Sequence, residues 1–205
     1  MKKAAILICI AMALLFLCAC HDGSPAEAPE DSSAAERVIT HTKNCKITEI
    51  TDDKNFIKYY YEVTDKNGNV MEQAYCAQQP RAAQVSDSLL GVRFTLEGHT
   101  FVRYYDLEKG IISRTFKNPF WGNDTLVATH DYDNDTGHYF EVQDIFNEDG
   151  YYFRKDIVCS SIQITVTATQ ESTDGKSIYI KYVPGDGSNK HAYASTVSVP
   201  IVPAE

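Results

Sequence analysis

Ile162-Gln163-Ile164-Thr165-Val166-Thr167-Ala168 and Val92-Arg93-Phe94-Thr95-Leu96 alternate apolar with polar residues, which is the period of a strand with one buried face. Val, Ile, Thr, Tyr and Phe dominate these runs, residues that suit a pleated, half-buried surface. Only Arg81 to Leu90 (RAAQVSDSLL) admits a short helix, and it reads equally well as a loop. An all-β fold is expected.

Between the runs stand turn signals: Lys66-Asn67-Gly68, Glu97-Gly98, Lys109-Gly110, Glu148-Asp149-Gly150, Asp174-Gly175 and Gly185-Asp186-Gly187. Gly, Asn and Asp tolerate the positive φ angles of tight hairpins. Four segments, FIKYYYEVTDKNGNV, FVRYYDLEKGI, YFEVQDIFNEDGYY and IYIKYVPGDGSN, each read as strand, turn and strand. With Ile57, Val102, Phe140 and Ile178 as matching apolar positions, the spacings are 45, 38 and 38. Each unit has a further strand before it, as in VRFTL, TLVATHD and IQITVTATQ. The expectation is four antiparallel three-stranded meanders at a period near 40, which is propeller-like, with a β-sandwich or barrel as the alternative. Asp174-Gly175-Lys176-Ser177-Ile178-Tyr179 resembles the Ser-Pro-Asp-Gly-Lys hairpin of TolB-type propeller repeats, without the Ser-Pro.

The N-terminus carries a different signal. Lys2 and Lys3 precede an uncharged run from Ala4 to Ala19, shorter than the roughly 20 residues a spanning helix needs and suited to a signal-peptide core. Leu17-Cys18-Ala19-Cys20 resembles the bacterial lipobox, with Cys18 standing where a small or hydroxyl residue is usual. That resemblance implies removal of residues 1–19, lipidation of Cys20 and display on the outer face of a bacterial membrane, outside the cytoplasm. Two or more acyl chains hold a protein firmly, whereas one binds reversibly. Residues 20–37 are rich in Ala, Ser, Pro and acid and read as a flexible linker. A single domain is expected over 38–205.

Loss of Lys2 and Lys3 makes a formal charge of −9 two units more negative. No Lys/Arg cluster after residue 20 offers the basic footprint that nucleic acid requires. Asp131, Asp133 and Asp135, at alternate positions before Gly137, suggest a loop converging on calcium, although the EF-hand spacing fails. His130 and His138 flank this loop and offer a further ligand or a proton acceptor. Cys45 and Cys76 bracket the first meander and form the expected pair if a disulfide exists; three buried free thiols, Cys159 included, are the alternative.

No GxSxG elbow, HExxH, phosphate-binding loop or dinucleotide fingerprint occurs, so no catalytic residue is assigned. Clustered aromatics point instead to contact with a protein or glycan. Trp121 and Phe120, in a loop-like Asn118-Pro119-Phe120-Trp121-Gly122, and Tyr132 are the candidate ligand-binding residues. The expected function is a membrane-tethered, non-catalytic binding module. An envelope glycoside hydrolase and a structural part of an envelope complex are the alternatives.

Overall fold

The structure, a computed structural model, describes residues 34–159, 161–185 and 193–202. The expected signal segment, Cys20 and the expected linker as far as residue 33 lie outside the described residues. Ala35 already opens a strand, so Glu36 and Arg37 belong to the fold and the linker ends earlier than expected.

Among the described residues fifteen strands form four antiparallel sheets, each made of strands consecutive in the chain. The first contains β1 (Ala35–His41), β2 (Cys45–Thr51), β3 (Ile57–Thr64) and β4 (Val70–Cys76). The second contains β5 (Arg81–Gln84), β6 (Leu89–Leu96), β7 (His99–Asp106) and β8 (Ile111–Lys117). The third contains β9 (Pro119–Gly122), β10 (Leu126–Asp133), β11 (Gly137–Asp144) and β12 (Tyr152–Ile157), and the fourth β13 (Ile164–Glu171), β14 (Ser177–Pro184) and β15 (Ser195–Pro200). Three sheets therefore have four strands where three were expected. The stretch that admitted a helix is β5 plus a turn, because Leu89 and Leu90 are drawn into cores on opposite faces of β6.

Those cores explain how the sheets associate. Ile47, Tyr61 and Val63 of the first sheet pack on Leu90, Val92 and Tyr105 of the second. The other face of the second sheet, through Leu89, Val102, Tyr104 and Phe116, meets Val127 and Ile145 of the third. Phe140 and Val142 then meet Ile178, Ile180, Tyr182 and Val199 of the fourth. The two middle sheets thus bury both faces and the end sheets one. Serial face-to-face packing of small meanders is propeller-like, and the sheets do not close into a barrel.

Val102, Phe140 and Ile178 are buried as the repeat requires, but Ile57 is half exposed, and Tyr61 and Val63 occupy the core of the first sheet instead. Its repeat was matched out of phase, at a strand end. The disulfide expectation is corrected: Cys45 and Cys76 are free thiols. Cys45 pairs with Val63 and Cys76 with Tyr59, so the two are a whole strand and four residues of register apart. At about 4.8 Å per strand and 3.3 Å per residue, that far exceeds the ~7 Å a disulfide spans. Burial pushes the Cys45 thiol up to about 11, which keeps it protonated and inert.

One junction matters for the site. Leu96 pairs with His99, and both residues between them have positive φ (Glu97 at 51°, Gly98 at 80°), giving a tight two-residue hairpin. Asn118, also left-handed at φ 48°, joins the second sheet to the third. Its side-chain oxygen accepts from the Thr100 N–H at 3.1 Å and its carbonyl accepts from the His130 N–H at 3.3 Å.

Candidate functional site

A cleft of about 530 Å³ opens where these edges meet. Gly98 and His99 form one side, Asn118 with His130, Asp131, Tyr132 and His138 the floor, and residues 162–165 with Gly185 the other side. Its volume falls within the usual 300–1,000 Å³ of small-molecule sites.

The floor follows from strand register. Even-numbered residues of β10 and β11 share one face, on which Ala128, Phe140 and Val142 enter the core beneath the fourth sheet. Towards the hairpin the same face turns polar with His130, Tyr132 and His138. Tyr132 pairs with His138, and their rings make an edge contact at 4.9 Å.

His138 is 1% exposed, and its Nε2 lies 2.9 Å from the carbonyl oxygen of Ser161. A carbonyl only accepts, so the tautomer that fits this contact carries its proton on Nε2 and leaves Nδ1 as an acceptor. Nε2 of His130, 3.0 Å from that Nδ1, must then donate. The chain of donors ends at Nδ1 of His130, whose lone pair remains to accept. Burial, then the neighbouring His138 and Lys117, push His130 down to about 4 against a partial opposing pull from Asp131. The imidazole is therefore neutral near pH 7.

Asp131 binds the Lys117 ammonium through both oxygens, at 2.9 and 3.0 Å. Burial pushes its carboxyl up, but the Lys117 and Tyr132 donors outweigh that and hold it below the ordinary carboxylate value. Asp133 turns to its own hairpin, accepting the N–H groups of Asp135 (2.7 Å) and Thr136 (3.2 Å), while Asp135 is exposed. The calcium expectation is corrected accordingly. Two of the three carboxylates are spent on an ion pair and a turn, and no group of three His, Cys, Asp or Glu able to hold a metal exists among the described residues.

Trp121 and Phe120 lie elsewhere than expected. They sit in the edge strand β9 and not on a loop tip, half buried against the core shared by the third and fourth sheets. Phe120 meets Phe140 edge-on at 5.4 Å. Trp121 and Phe120 line a separate slot of about 200 Å³ with Val85, Arg93, Tyr104, Pro119 and Gly122. Tyr132 belongs to the larger cleft, so the structure divides the three aromatics between two sites.

Sequence reasoning noted His130 and His138 as flanking residues but missed their direct contact. The turn signal at Asp133 to Gly137 contained it, since a hairpin closed there places both rings on one face. Residues 162–165 and Arg93 had no local signal. Comparison with protein-family models, curated proteins and solved structures finds no match.

Proposed function

We propose that this protein is a lipid-anchored module of a bacterial cell envelope, exposed outside the cytoplasm, whose cleft binds a polar ligand of the glycan type. The carrying observation is the composition of the cleft. Tyr132, nearly half exposed, offers an aromatic face, on which the C–H face of a sugar ring stacks, and Asn118, Asp131, Gln163 and Thr165 supply donors and acceptors around it. The Nδ1 lone pair of His130 adds an acceptor for a hydroxyl. The anchor rests on the charge pair, the apolar run and Cys20, and among the described residues no helix is long and apolar enough to cross a membrane.

A glycoside hydrolase needs two carboxyl groups flanking the scissile bond, about 5 to 10 Å apart. Among the described residues lining the cleft Asp131 is the single carboxylate, and Lys117 already engages it. Binding is therefore the better-supported activity. Calorimetric titration of the full chain in detergent with cell-wall and capsular oligosaccharides tests the reading. A saturable isotherm that Tyr132→Ala weakens at least tenfold supports it, and no heat with any of these glycans overturns the glycan assignment.

A further inference from the structure

The slot beside β9 is distinct from the cleft and has its own chemistry. Arg93 pairs directly with Arg81 across β5 and β6, so the two side chains leave the same face of the second sheet from opposite positions. Like charges directly opposite in a sheet are destabilising. Four other arginines, Arg37, Arg103, Arg114 and Arg154, hold carboxylate or amide oxygens. Among the described residues neither Arg81 nor Arg93 has such a partner, in a chain with a formal charge of −9.

Tyr104 brings a second donor to the same place. The residue is 7% exposed, yet its hydroxyl has no hydrogen-bond partner among the described residues. Ser86 Oγ is the one fully enclosed side-chain polar atom left unpaired among those residues. The Tyr104 hydroxyl is therefore open, and the slot it lines is the opening. Two glycines make the room. A Cβ on Gly91 would lie 3.4 Å from the Tyr104 ring, and one on Gly122 would lie 3.6 Å from its hydroxyl and 3.2 Å from the Leu126 carbonyl. Arg93 also lies near enough to favour the phenolate charge of Tyr104, against the burial that raises that phenol.

We propose that this slot binds a small organic carboxylate, held by the Arg93 guanidinium and the Tyr104 hydroxyl, with its apolar body against Trp121 and Val85. Two donors without acceptors select an anion, since among the described residues no carboxylate lines the slot to repel one. A planar guanidinium matches a carboxylate through paired hydrogen bonds. A volume of about 200 Å³, below the usual ligand range, and walls of Trp121, Phe120, Pro119 and Val85 restrict the occupant to a small acid with a flat or short apolar part. The anion would also relieve the Arg81–Arg93 repulsion. This site does not depend on the glycan reading of the cleft.

Trp121 is the single tryptophan of the chain, so its fluorescence reports this slot alone. Benzoate titrated into the full chain in detergent should change the emission saturably, while benzamide, of the same shape but neutral, should require at least tenfold higher concentration. Arg93→Gln, at an exposed position, should abolish the preference for the acid. Tyr104→Phe should weaken binding several-fold, and Gly122→Val should close the slot. N-acetylphenylalanine and its amide form a second pair of probes. Tighter binding of the N-acetylated acid than of benzoate assigns the carboxylate to a peptide terminus, and the reverse assigns it to a free acid. Equal responses to benzoate and benzamide, or an undiminished response in folded Arg93→Gln, would overturn the proposal.

Discussion

Tyr104 and Tyr105 are neighbours on β7 and bury their rings in two different cores, Tyr104 towards the third sheet and Tyr105 towards the first. The two hydroxyls differ as much as the rings. That of Tyr105 donates to Glu72, which also takes Arg103, and lies 3.5 Å from the Tyr61 hydroxyl. Burial, above all, pushes the Tyr105 phenol far up. Tyr105→Phe or Glu72→Gln should each cost about 1–3 kcal/mol by leaving a partly buried polar group unpaired. Tyr104→Phe should stay within about 0.5 kcal/mol. Urea unfolding of the three variants measures the contrast, and equal losses would refute it.

His130 makes stability pH-dependent. Its folded-state pKa of about 4 lies below the ordinary 6.5, so between those values the unfolded chain binds the proton and the folded one does not. Stability is then complete above pH 6.5 and falls as pH drops towards 4. His130 is partly open to the cleft, which limits the loss to about 1–2 kcal/mol. His130→Gln should flatten that part of the profile, as read by melting temperature between pH 4 and 7.

Trp121, half buried in an edge strand, should lie between surface and core behaviour. Trp121→Ala should cost about 1–3 kcal/mol, more than the ~0.5 of a surface site and less than the 3–5 of a filled core site. Denaturant melts decide, and a cost outside that interval would misplace the ring.

For the hairpin, calcium should leave the melting temperature unchanged, because Asp131 and Asp133 already have partners and Asp135 alone is left. Asp133→Ala should cost about 0.5–1.5 kcal/mol by removing the carboxylate that accepts from two backbone N–H groups. Asp135→Ala should cost almost nothing. A calcium-dependent rise in melting temperature would restore the metal reading.

Cys20→Ser should stop incorporation of a labelled fatty acid and move the protein from the membrane to the soluble fraction or stall its processing. Labelled, membrane-bound mutant protein would sink the proposed anchor.

The sequence alone determined what depends on neighbours along the chain. Alternation of apolar and polar residues over five to seven positions dictates strands, glycine-bearing turns dictate hairpins, and together they made the all-β class and the four meanders legible. Phase was less secure, as Ile57 shows, because a strand end resembles a strand centre when only spacing is read. Tertiary structure alone decided which face of each strand meets which sheet, and thereby what the candidate residues do. Lys117 reaches Asp131 and removes it from any metal, β9 pulls Trp121 out of the solvent, and Ser161, 23 residues beyond His138, sets which imidazole nitrogen carries the proton. Each of these contacts joins groups from different strands, sheets or connecting segments. Their distance is set by packing between sheets, which no local pattern of residue types encodes.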